Sequence, residues 1–141
     1  MKKMIQSTLS ISLVLLLLLC LVSCNTVEKT GVWEDATYRK DMEFGSGAKT
    51  VVLEVEAEEQ IVTFTVKTDA ETVGDALLEH ELIDGEQGEY GLYVKVVNGM
   101  TADYDVDQSY WSFSVDGEYA MTGVDGTAIA EGSVYRLTYT K

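Results

Sequence analysis

Apolar and polar positions alternate strictly from Tyr110 to Val115, with Trp111, Phe113 and Val115 on one face and Tyr110, Ser112 and Ser114 on the other. This period of two predicts a half-buried strand, and the following Asp116-Gly117 supplies a pair suited to a tight hairpin turn. The same period runs through Val51, Leu53 and Val55, then resumes at Val62, Phe64 and Val66. Two such runs joined by a short polar turn predict an antiparallel hairpin. A short edge strand is expected over 38–44, before Gly45-Ser46-Gly47. Another strand is expected over 90–97, ended by the strong turn signal Asn98-Gly99, with Met100 to Ala102 returning beside it. The last strand covers 134–139 and puts Tyr135, Leu137 and Tyr139 on one face.

One segment has a helical period. Val73, Ala76, Leu77 and His80 recur at i, i+3, i+4 and i+7, and Leu82 and Ile83 close the run before Asp84-Gly85. Thr72 is a suitable N-cap with Asp75 in the first turn, while Thr68 with Glu71 offers a competing start one turn earlier. Asp103 to Gln108 reads as an acidic loop. Two strands, one helix and several further short strands predict an α+β domain, a β-grasp-like curved mixed sheet cradling a single helix.

The first residues stand apart from this pattern. Lys2 and Lys3 precede an apolar run from Ile11 to Leu19 that is too short for a comfortable membrane span. It ends at Leu21-Val22-Ser23-Cys24, which resembles the bacterial lipobox. The resemblance implies a signal peptide over 1–23, cleavage before Cys24 and a diacylglycerol on that cysteine. Two acyl chains anchor a protein stably where one does not, so the expected location is the extracytoplasmic face of the cell membrane. Residues 24–35 read as a lipidated N-terminus and tether, and 36–141 as the domain. A flexible tether of that length spans roughly 20 Å on average, which keeps the domain near its membrane. Because Cys20 leaves with the signal and Cys24 carries lipid, no disulfide is expected in the domain.

The formal charge of the chain is −14, and the signal segment carries two of its few positive charges. Nucleic-acid binding needs a positive footprint and is close to excluded. The single histidine, His80, lies on the helix stripe and reads as a packing residue. With no second imidazole or thiol to join it, neither a metal ligand set nor nucleophilic catalysis is expected, and the chain does not read as an enzyme. Asp103, Asp105 and Asp107 open like a calcium loop. Gln108 stands in place of its glycine and Ser114 in place of its bidentate glutamate, so an EF-hand is excluded and only weak calcium binding is left beside a solvated loop.

The stretch SYWSFSVDGEYAMTGVDGTAIAEGSVYRLTYTK, residues 109–141, resembles the closing region of the C-terminal β-domain of transcobalamin and intrinsic factor. It is closer still to bacterial surface lipoproteins that carry this domain alone. The pieces KTVVLEVEAEEQIVTFTV, TDAETVGDALLEHELI and EYGLYVKVVNGMTADYD follow the same bacterial pattern, so the resemblance covers about 36–141. It implies a site at Tyr110, Trp111, Tyr119, Met121, Thr122 and Gly123, where aromatic rings and exposed backbone suit a flat, amide-fringed corrin such as cobalamin. No helical barrel accompanies the domain, so half of that site is missing from this chain. The implied role is a binding module that captures a small ligand for uptake. The alternative is docking of the same face onto a transporter or a helical partner protein.

Overall fold

The computed structural model describes residues 31–141. The expected signal peptide over 1–23, the expected lipidation site Cys24 and the expected tether as far as residue 30 lie outside the described residues.

Among the described residues nine strands form two sheets. β1 (Met42–Gly45), β2 (Lys49–Ala57), β3 (Gln60–Thr68), β7 (Tyr110–Val115), β8 (Glu118–Tyr119) and β9 (Val134–Thr140) make a six-stranded sheet in the order β1-β3-β2-β9-β7-β8. The second sheet has three antiparallel strands, β4 (Ile83–Gly88), β5 (Gly91–Val97) and β6 (Met100–Thr101). Two short helices complete the fold, α1 (Val73–Leu78) and α2 (Tyr104–Asp107).

The α+β class and the mixed sheet hold, because β1–β3 and β2–β9 pair parallel while β2–β3, β7–β9 and β7–β8 pair antiparallel. The β-grasp-like curved sheet around one helix does not. The main sheet is open, with β1 and β8 as free edges, and it neither curls nor closes. The physical reason lies in the residues between α1 and β7. They form a separate sheet whose Leu82, Ile83, Val97 and Met100 join the core, so the main sheet need not wrap around a helix to bury its inner face.

Alternation sets that inner face. Val51, Leu53, Val55, Val62, Phe64, Val66, Tyr135 and Leu137 are almost wholly buried and meet Val73, Ala76 and Leu77 of α1 with Leu82, Ile83, Val97 and Met100 around the second sheet. The opposite face is polar: Arg136 on β9 bonds through Nε to Glu54 at 2.8 Å and lies 3.3 Å from Glu56 on β2. Thr72 caps α1 by accepting from the Asp75 N–H at 3.1 Å. The helix stops at Leu78, short of the expected Ile83, and His80 lies half-buried beyond it with its ring 5.7 Å from that of Phe44.

Two local devices tie distant pieces to this core. The N-terminal 3₁₀ turn Val32–Asp35 buries Trp33, whose Nε1–H donates to the Ala57 carbonyl at 2.7 Å. Asn98, in the β5–β6 turn, is 1% exposed. Its side chain donates to the Tyr38 carbonyl at 2.7 Å and accepts from the Tyr38 N–H at 2.9 Å.

Candidate functional site

β7 owes its position to β9, with which it pairs from Tyr110↔Thr140 to Val115↔Tyr135. On its other side β8 covers only Ser114 and Val115, followed by one more rung from the Ala120 N–H to the Phe113 carbonyl at 3.1 Å. The chain then turns away through Met121 to Gly126. The gap so left is an open cavity of about 720 Å³, within the size range of small-molecule sites.

All six residues singled out above border this cavity: Tyr110 and Trp111 on β7, Tyr119 at the end of β8, and Met121, Thr122 and Gly123 in the following loop. Their exposures differ in kind. Met121 is 99% and Tyr119 82% exposed, whereas Trp111 is 7% exposed. Trp111 is therefore a core residue with one side on the cavity, its ring edge-on to Tyr139 at 5.5 Å. Its indole N–H is buried without a hydrogen-bond partner among the described residues. A buried donor left unpaired costs about 1–3 kcal/mol, so it invites an acceptor.

Sequence reasoning missed six contributors to the wall, Ala120 and Gly126 among them. Ser112 and Phe113 lie on the same strand; Tyr90 comes from the β4–β5 turn and is 93% exposed, and Asp125 comes from a 3₁₀ turn at Val124–Gly126. No local pattern marks Tyr90 or Asp125, because only the tertiary fold brings them beside β7. Asp125 is the one charged lining residue. It accepts from the Leu92 N–H at 2.9 Å, and its carboxylate packs so close to Gly91 (φ +107°) that a Cβ there would lie 2.8 Å from it.

The loop is fixed before any ligand arrives. The Thr127 hydroxyl donates to the Gly123 carbonyl at 2.8 Å, and the Val73 N–H of α1 donates to the Thr127 carbonyl at 2.9 Å. α1 approaches so closely that a Cβ on Gly74 would sit 2.8 Å from the Asp125 main chain. Rigid support of this kind lowers the ordering cost of binding.

At the upstream end of β7, Tyr104 of α2 meets Tyr110 edge-on at 6.5 Å. The acidic stretch expected as a loop is this helix, with the carboxylates of Asp103 and Asp107 already engaged. Asp103 caps it by accepting from the Asp105 N–H at 3.0 Å and lies 3.6 Å from the Lys95 ammonium. Asp107 takes the Lys141 ammonium at 2.7 Å and both the hydroxyl and the N–H of Ser109. Those donors, Lys141 first, hold its carboxyl down at about 2. Among the described residues no three His, Cys, Asp or Glu side chains converge as a metal site.

The fold defines an α+β domain of the kind also found in haptocorrin. Residues 70–141 match the family described as Domain of unknown function (DUF4430), and the chain belongs to that family. A protein of Ruminococcus gnavus ATCC 29149, provisionally described as metal binding, is 34% identical with a TM-score of 0.63, over 67% of this chain and 98% of that one. Haptocorrin in complex with Cbi shares the fold at 20% identity and a TM-score of 0.51, over 70% of this chain and 26% of that one. No curated protein matches the chain.

Proposed function

We propose that this chain is a membrane-anchored binding module on the extracytoplasmic face, holding a small ligand in the cavity beside β7. A corrinoid is the first candidate. The observation that carries the reading is the cavity itself: an open hollow bordered by the rings of Tyr90, Tyr110, Trp111, Phe113 and Tyr119. Tyr90, Tyr110 and Tyr119 offer ring faces to a flat apolar body, while Thr122 and the loop backbone suit its amide fringe. The distant likeness to haptocorrin supports trying a corrinoid before other ligands. Attachment through a lipid on Cys24 rests on the lipobox resemblance and would keep the cavity close to a membrane transporter.

A metal-binding role, as described for the Ruminococcus gnavus relative, does not fit the residues here. Asp103 and Asp107 are spent on a cap, on Ser109 and on lysines, and among the described residues no three His, Cys, Asp or Glu side chains converge. The deciding experiment titrates the full chain in detergent with cobalamin and follows the corrin absorbance. Saturable binding that is weakened in Tyr119→Ala supports the proposal, and no binding at high micromolar cobalamin removes the corrinoid.

A further inference from the structure

The β7 edge inside the cavity carries an unused rung. Asp116 N–H bonds to the Val134 carbonyl on β9 at 2.8 Å, and the Phe113 carbonyl accepts from Ala120 on the opposite side. In an antiparallel pair the bonded residues alternate. Ser114, Ser112 and Tyr110 therefore turn their main-chain groups to β9, whereas Val115, Phe113 and Trp111 turn theirs away from it. Beyond Ala120 nothing continues β8, so the N–H and carbonyl of Trp111 face the open edge, and neither forms a hydrogen bond among the described residues.

Edge strands are ordinarily protected by charge, proline or a bulge. The run Tyr110–Phe113 has none of these, and its register with β9 is unbroken. It is protected only by lying within the cavity that Tyr119 and Met121 also border. An edge left pairable within a cavity fits an extended backbone laid in as an added strand. The surroundings state the charge of that segment. Asp125 lines the cavity with no lysine or arginine beside it, Glu89 and Glu118 flank the exposed Tyr90 and Tyr119, and the chain as a whole carries −14. A second copy of this chain would bring the same negative charge to the edge, whereas a basic segment is attracted to it.

We propose that the cavity pairs Trp111 of β7 with an extended, basic segment of a partner polypeptide, as an added strand. This shares the cavity with the function proposed above but names a different occupant.

The probe is a capped hexapeptide alternating valine and lysine, added to the ¹⁵N-labelled full chain in detergent. Amide exchange is read at Trp111. The expected result is exchange slowed about tenfold at Trp111, lost when every residue of the peptide is N-methylated. Binding about tenfold weaker is expected for Tyr119→Ala and for a valine–glutamate peptide. A dissociation constant weaker than about 1 mM, with Trp111 exchange unchanged, overturns the proposal. Equal binding of the glutamate peptide also overturns it, as does Trp111 protection that rises with protein concentration alone and so indicates self-pairing. If cobalamin binds and the peptide does not, the strand proposal falls and the small-ligand reading stands. If the peptide binds at Trp111 and cobalamin does not, the reverse holds; if neither binds, both fall.

Discussion

Asp107 and Lys141 lie 2.7 Å apart, carboxylate to ammonium, tying the last residue of the chain to the short helix before β7. Hydrogen bonds from Lys141 and then from Ser109 lower the Asp107 carboxyl from 3.8 to about 2. Between these values the unfolded chain binds more protons than the folded one, so stability falls as pH drops from about 4 to about 2. Asp107→Asn should flatten that part of the stability-against-pH curve, as measured by urea melts at a series of acidic pH values. An unchanged acid slope would show that other carboxylates set it.

Trp33 fills part of the core and pairs its indole N–H with the carbonyl of Ala57. Trp33→Phe keeps most of the packing and removes that hydrogen bond, at a cost of about 1 kcal/mol. Trp33→Ala adds a cavity and should cost about 3–5 kcal/mol. Equilibrium urea unfolding of both variants checks the order. Similar losses would mean that the hydrogen bond contributes most of the effect.

Asn98 has φ +52° and grips both main-chain groups of Tyr38. Asn98→Gly retains the left-handed backbone at no steric cost. The loss, about 2–4 kcal/mol for two orphaned partners, then belongs to the side chain. Faster amide exchange at Tyr38 should accompany it.

Tyr119 projects into solvent at 82% exposure. Tyr119→Ala should change stability by less than about 0.5 kcal/mol while lowering affinity for any occupant of the cavity about tenfold. Thermal melts and titrations on the same preparations separate the two effects.

Cys24→Ala should shift the chain from the membrane fraction to the soluble one and abolish labelling with a radioactive fatty acid. Retention of label in the variant would point to another attachment site.

The strands that bury one face were legible in the sequence because burial enforces a period of two. Leu53, Phe64, Trp111 and Leu137 follow it without exception. β4 was not, since Ile83 is the only large apolar residue in Ile83-Asp84-Gly85-Glu86-Gln87-Gly88. That segment is extended because it pairs with β5, so closely that any side chain at Gly85 would collide with the Tyr93 carbonyl. α2 is four residues long, too short for a helical period to appear, and its Asp103 cap resembled part of a calcium loop. In the cavity, residues near one another in sequence were accessible to reasoning. Tyr90 was not, since its distance from β7 is closed only by the second sheet.

The Trp33 anchor also determines how force would enter the domain. A pull on residues before Gly31 reaches first the indole held at the end of β2, and next β1, which runs parallel to β3 from Met42↔Phe64 to Gly45↔Lys67. Drawn toward the Gln60 end of β3, β1 is loaded along its own axis, so its ladder bonds share the load in shear and do not open one at a time. Trp33 would then act like a cable clamp, keeping any tension applied ahead of Gly31 away from the cavity at the far edge of the sheet.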